Sequence, residues 1–169
     1  MSTFSPQVSV LQAKLQAWCV SMLSVVVDAY DLGAVIGKGA TIRAGETDLW
    51  PDVVFVPKTS RGIVGRDAVK GVPALCIDII HSSLPEAERA ALRGRYAGIH
   101  VLEYWQVEAD TAQAALYQAD AEWRYDLIPP DKGGMHFSIA IVELSFPVRW
   151  FREQPGIWRI MQAWGMIHD

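Results

Sequence analysis

The spacing of Leu11, Leu15, Trp18, Met22 and the Val25/Val26 pair is the strongest constraint on the fold. Apolar residues that recur every three or four positions share one helix face, which predicts an opening helix of roughly 25 residues with one buried side. Ser5-Pro6 supplies an N-cap and first-turn pattern. Asp31-Leu32-Gly33 supplies a stop. Such a helix is a scaffold for a sheet, and the segments that follow are short and β-like. They cover residues 34–36 and 40–43 around the Gly37-Lys38-Gly39 turn, then 51–57, 74–80 and 101–107. Residues 85–96 are helical in propensity, with a proline in the first turn and acids near the start. Residues 114–118 and 123–127 read as a hairpin, 129–134 as a loop, 139–142 as a last strand and 155–166 as a helical tail. This order predicts an α/β (α+β) domain with a central mixed β-sheet flanked by helices and a long N-terminal helix.

The chain has 169 residues, enough for one domain, with 155–169 as a C-terminal helical extension. Its net charge of -4 argues against a non-specific basic coat for nucleic acid but leaves room for a local basic patch. The opening residues lack a basic signal-peptide region, and the apolar stretch from Val20 to Val27 is interrupted by Ser21 and Ser24. A cytoplasmic protein without a membrane role is the expectation. Cys19 and Cys76 both sit inside apolar runs, which predicts buried free thiols in a reducing compartment. Zinc-type Cys/His spacing and phosphate-binding glycine loops are absent from the sequence.

Two carboxylates violate their surroundings. Asp52 opens the apolar run DVVFV, and Asp78 lies inside LCIDII. An ionised carboxylate there is costly unless it is paired, hydrogen-bonded or metal-bound. A satisfied polar group at a sheet end is the structural reading of either one alone. Two on nearby strands repel each other, and a divalent cation relieves that repulsion. Mg²⁺ takes oxygen ligands and often only one or two carboxylates, completed by water and phosphate oxygens.

These residues carry a resemblance. Pro51-Asp52, followed 26 residues later by Asp78, resembles the PD-(D/E)XK nuclease superfamily. With PDVVFVP, the acidic strand, a helix carrying Tyr-Ala, and VLEYWQVE, the chain looks like the Uma-type family of bacterial endonucleases over roughly residues 34–151. The resemblance implies a restriction-endonuclease-like fold and metal-dependent phosphodiester hydrolysis of nucleic acid, DNA first. It assigns Mg²⁺ (or Mn²⁺) to Asp52, Asp78 and the main-chain carbonyl of Ile79. The chain departs from the family pattern in three places: Asp78 replaces a Glu, His81 a Ser and Leu92 a helix-borne Lys. Ile80 occupies the strand position where the wider superfamily carries its Lys. A replacement cation is therefore expected among Arg93, His81 and Lys70. If none serves, the fold is a degenerate module that binds nucleic acid or protein without cutting, or a structural oligomer.

Lys58, Arg61, Arg66 and Lys70 lie between the acidic strands and are candidates for phosphate contact. Glu46 and Asp48 are read as an exposed turn, Glu103 as a strand-end hydrogen-bonding group, and Tyr104 and Trp105 as core. Trp150, Phe151, Trp158 and Trp164 either cover the core or form the surface of a homodimer.

Overall fold

The structure is a computed structural model that describes residues 9–37 and 39–168, with Arg61 described by its backbone alone. The opening helix α1 spans Val10–Ala29 and buries Leu15, Trp18, Cys19, Met22, Leu23, Val26 and Val27. Ser9 is its N-cap: the hydroxyl accepts from Gln12 N–H, and the Gln12 side chain accepts from Ser9 N–H. Each of those groups would otherwise be unsatisfied at a helix start. The Ser5-Pro6 start expected from the sequence lies outside the described residues. The helix is long and apolar enough to cross a bilayer by length and composition. Its apolar face is instead packed on the sheet, as in a core helix.

Beyond α1 come β1 (Gly33–Ile36), β2 (Thr41–Ala44), β3 (Thr47–Leu49), β4 (Val53–Pro57), a 3-10 turn at Lys58–Ile63, β5 (Ala68–Val69) and β6 (Leu75–Ile80). Next are α2 (Glu86–Gly98), β7 (Glu103–Glu108), β8 (Ala114–Ala119), β9 (Tyr125–Leu127), β10 (Met135–Phe137), β11 (Ser145–Pro147), α3 (Trp150–Glu153) and α4 (Ile157–Ala163). The central sheet has the order β1-β4-β6-β7-β8-β9. Within this sheet, among the described residues, β6 and β7 are the one parallel pair, joined by α2, so the sheet is mixed as expected.

Strand alternation divides the core in two. Val53, Phe55, Leu75, Ile77, Ile79, Trp105 and Val107 point to the face covered by α1, α3, α4 and the β10–β11 hairpin. Val54, Val56, Cys76 and Tyr104 point to the opposite face, covered by α2 and the small sheet β3-β2-β5. Both cysteines are buried, and burial raises their thiol pKa values. Gly33 permits the close β1–β4 approach, because a Cβ there would fall 2.1 Å from the Val56 carbonyl oxygen.

One expected strand is corrected. Residues 139–142 form bends and turns, and the extended segments are β10 and β11 on either side. The cause is Glu103, whose carboxylate takes the Ile139 and Ala140 N–H groups at 2.9 and 3.0 Å and removes them from any ladder. The aromatic tail largely covers the core. Trp150 and Phe151 are buried, and the Trp164 indole N–H donates to the Ser145 carbonyl at 2.8 Å. Trp158 is exposed.

Candidate active site

Asp52 and Asp78 stand where β4 ends and β6 continues. Without β4 beside it, Ile79 needs new partners for its backbone groups. The Asp52 carboxylate provides one, accepting Ile79 N–H at 2.7 Å. Asp52 N–H in turn donates to the Ile77 carbonyl at 2.9 Å. This fixes the Asp52 side chain at the strand end, where its charge acts on Asp78 and on Cys19 of α1.

Asp78 belongs to the α2 side of the sheet and is 7% exposed. Tyr96 of α2 donates its hydroxyl to Oδ1 at 3.0 Å, and Tyr104 of β7 donates to Oδ2 at 2.7 Å. Burial pushes the Asp78 carboxyl up to about 6 against the pull of both hydroxyls; Asp52 adds to the rise and Arg95 opposes it. Burial, with the neighbouring Asp78 charge, drives both tyrosine hydroxyls far above their ordinary range, so they remain donors.

Gln106 is the β7 partner of Asp78 in register and is 2% exposed. Its amide donates to Tyr104 Oη at 3.2 Å and to the Arg89 carbonyl at 2.9 Å, so Asp78, Tyr104 and Gln106 form one buried chain of polar contacts. Helix α1 approaches from the other face. Gln12 Nε2 donates to the Ile79 carbonyl at 3.4 Å, and Gln16 Nε2 donates to the Asp52 carbonyl at 3.2 Å. Sequence reasoning missed Gln12, Gln16, Gln106 and Arg95. The one visible signal was the four-residue spacing of Gln12 and Gln16, one helical turn apart.

The other candidates are dispersed. Arg93 pairs with Glu86 at 2.5 Å, donates to Gln106 Oε1 at 3.4 Å and lies 5.1 Å over the Tyr117 ring. It therefore meets the Asp78 network through Gln106. Leu92 packs against the core on the α2 side. His81 is exposed; its Nδ1 meets the Ser83 hydroxyl at 2.8 Å, and Nε2 lies 3.5 Å from Asp110. Lys58 pairs with Asp31, at the opposite end of β4 from Asp52. Arg66 and Lys70 are exposed, and the Arg61 side chain lies outside the described residues. Asp48 is paired with Arg43 at 3.0 Å, and Glu46 is an exposed turn residue. Glu103 takes no part in the acid pair. It is fully buried and accepts from His136, Ser138, Trp105 and the two backbone N–H groups already described.

Among the described residues, no group of three or more His, Cys, Asp or Glu side chains gathers to hold a metal. The donors at the acid pair are all oxygens, two carboxylates and the Ile79 carbonyl, which suits a hard cation completed by water or phosphate. Asp52 Oδ2 and both Asp78 oxygens each accept a protein hydrogen bond, and an ionised carboxylate has about four lone-pair sites. The residue set therefore fits Mg²⁺ or Mn²⁺.

A mixed sheet between a long N-terminal helix and a crossover helix, with paired aspartates at the strand break, defines a restriction-endonuclease-like domain. A crystal structure described as a putative nuclease belonging to DUF820, from Anabaena variabilis, has the same fold. It superposes with a TM-score of 0.69 at 12% identity, covering 88% of this chain and 84% of that one. No curated protein matches the chain. The chain belongs to the Uma2 family, described as "Putative restriction endonuclease", which it matches over residues 4–149.

Proposed function

We propose that this protein is a metal-dependent endonuclease that hydrolyses phosphodiester bonds in nucleic acid, with DNA as its substrate. Asp52, Asp78 and the Ile79 carbonyl would hold Mg²⁺ or Mn²⁺. The supporting observation is that the Asp52 carboxylate accepts from the N–H of Ile79, the residue next to Asp78, which brings the two acids to one strand end; burial raises the Asp78 carboxyl and the Asp52 charge adds to the rise. Two carboxylates this close repel each other when both are ionised. Bound there, a divalent cation polarises a phosphoryl oxygen and lowers the pKa of a water.

The chain's own residues prepare the site. Ile79 N–H orients Asp52, Gln16 fixes the Asp52 backbone, and Tyr96 and Tyr104 orient Asp78. Arg95 is exposed and has no ion-pair partner among the described residues, and it favours the charged form of Asp78. Arg93, which reaches the Asp78 network through Gln106, and His81, three residues beyond Asp78, remain the candidates to meet the scissile phosphate. The same reading places the protein in the cytoplasm as a homodimer. Exposed Ile157 supports the dimer, lining an apolar groove of about 710 Å³ between α1 and α4, and its chain neighbour Trp158 is exposed as well.

A second reading has its own support. Asp78 is almost fully buried with both oxygens engaged, and Leu92 replaces the family's helix-borne Lys. These features fit a nuclease fold that binds without cutting. Plasmid nicking with Mg²⁺ or Mn²⁺ separates the two. Cleavage by the wild type that Asp78→Ala abolishes supports the enzyme. An inert wild type, or equal cleavage by the variant, leaves the binding module.

A further inference from the structure

We propose that a nucleic-acid strand crosses the end of the sheet along a track whose phosphates meet Arg66 on one side of the acid pair and Lys14 and Arg152 on the other. The inference rests on the nuclease reading and adds where the substrate lies.

Most arginines near the sheet are committed within the fold. Arg43, Arg89, Arg93, Arg124 and Arg149 each pair with an acid 2.5–3.2 Å away. Lys14, Arg66 and Arg152 are exposed and have no ion-pair partner among the described residues. They line two grooves that flank Asp52 and Asp78.

The first groove, about 430 Å³, lies between the β1–β2 turn and the loop before β5, with Gly37, Ala40, Val64 and Arg66 in its wall. Ile36 pairs with Val54, so this turn sits at the end of β4 where Asp52 stands. A Cβ on Gly37 would lie 3.6 Å from the Gln16 amide, the group that holds the Asp52 carbonyl. Asp67 also lines this groove, next to Arg66.

The second groove, about 600 Å³, lies between the start of α1, the β7–β8 turn and α3, and contains Lys14 and Arg152. Ser82 N–H donates to Asp110 at 2.9 Å, which ties its wall to the loop leaving β6. Its two acids are already engaged: Asp110 with Ser82 and His81, and Glu153 with Arg149 at 3.2 Å. Lys14 and Arg152 are therefore the uncommitted charges in that groove. Unpaired cations along a groove are what a phosphate backbone requires, because each contact releases condensed counterions. On a chain of net charge -4, Arg66 in the first groove and Lys14 and Arg152 in the second place uncommitted positive charge on both sides of the acid pair.

The test is fluorescence anisotropy of a labelled DNA duplex and of its single strand, with the full chain in EDTA, over a KCl series. The triple variant Lys14→Gln/Arg66→Gln/Arg152→Gln is expected to bind more weakly. Its log–log salt slope should be shallower by roughly 2–3, at about 0.7–0.9 per lost phosphate contact. Lys132→Gln/Arg159→Gln, which removes cations outside both grooves, should retain the wild-type slope. A triple variant that binds DNA with the wild-type slope overturns the track while leaving the nuclease reading intact. A wild type that binds neither DNA overturns both. A flattened slope together with an inert plasmid assay supports the track and rejects the enzyme.

Discussion

Tyr104 donates its hydroxyl to Asp78 Oδ2 at 2.7 Å, while Tyr96, stacked on it with ring centroids 4.4 Å apart, donates to Oδ1. The two rings bury the carboxylate, and their hydroxyls replace the water it has lost. Tyr104→Phe removes one donor from a nearly buried charge. The expected loss at neutral pH is about 1.5–3 kcal/mol, the usual range for a hydrogen bond to a charged group. For a chain of this size that lowers the melting temperature by roughly 3–12 °C. Below about pH 6, where Asp78 takes up a proton, the loss should shrink. Thermal melts of variant and wild type at acidic and neutral pH check this, and equal losses at both would contradict it.

The raised Asp78 carboxyl also sets a pH dependence for the metal-free protein. The folded group titrates at about 6 and the unfolded group near 3.8, so between these values the folded state holds more protons. Stability from this site is full below the lower value and is lost as pH rises through the upper one. Asp78→Asn abolishes the titration. The variant should be more stable than the wild type above pH 6, by up to about 3 kcal/mol, and should show no gain near pH 4. Urea unfolding in EDTA across that range reads the difference directly. A gain that is independent of pH would show that Asp78 is not the titrating group.

The acid pair was legible because a charged residue in an apolar strand must have a reason, and Asp52 and Asp78 sit in two such strands. Their partners were not. Tyr104 reads as core from its neighbours, and its hydroxyl acquires a role only when β7 lies parallel to β6. Gln12 and Gln16 look like the solvent side of α1 until the end of β4 leaves carbonyls for them to bind. The same limit explains the strand expected at 139–142. Its residues have β propensity, but a carboxylate some 36 residues earlier claims its N–H groups, and no local pattern records that distance. The four cations of 58–70 looked like one loop because they are close in sequence, yet β4 and the 3-10 turn carry Lys58 and Arg66 to different ends of the sheet.

Glu103 makes a separate prediction about the fold. Burial works against its charge, but hydrogen bonds from His136, Ala140 N–H, Ser138 and Trp105 outweigh it and hold the carboxyl below its ordinary value. Glu103→Gln turns an acceptor into a donor facing other donors. The cost should be at least about 3 kcal/mol, or roughly 6–12 °C in melting temperature. Because the folded carboxyl is depressed, the contribution of Glu103 is present above its unfolded value and fades as pH falls through the folded one. The variant and wild type should therefore converge in stability at strongly acid pH. A variant that melts like the wild type at neutral pH would show that the loop at 138–140 is held by other contacts.

Leu92 offers a gain-of-function test of the nuclease reading. It stands one helical turn before Tyr96, against the core on the Asp78 side of the sheet. The family resemblance places a lysine at this position. The Leu92→Lys aliphatic stem can follow the path of the leucine, and the ammonium can extend toward the half-exposed edge of α2 near Arg95. A cation there would stabilise charge building on a phosphate held beside Asp52 and Asp78, and one well-placed electrostatic group contributes about 10²–10³ in rate. Leu92→Lys should therefore nick plasmid DNA faster than the wild type with Mg²⁺ or Mn²⁺, and Leu92→Met should not. The double variant Leu92→Lys/Asp78→Ala should lose the gain. A Leu92→Lys protein that is folded, confirmed by a cooperative melt, and whose nicking rate stays at the wild-type level would show that a cation at this helix position does not assist cleavage at the acid pair.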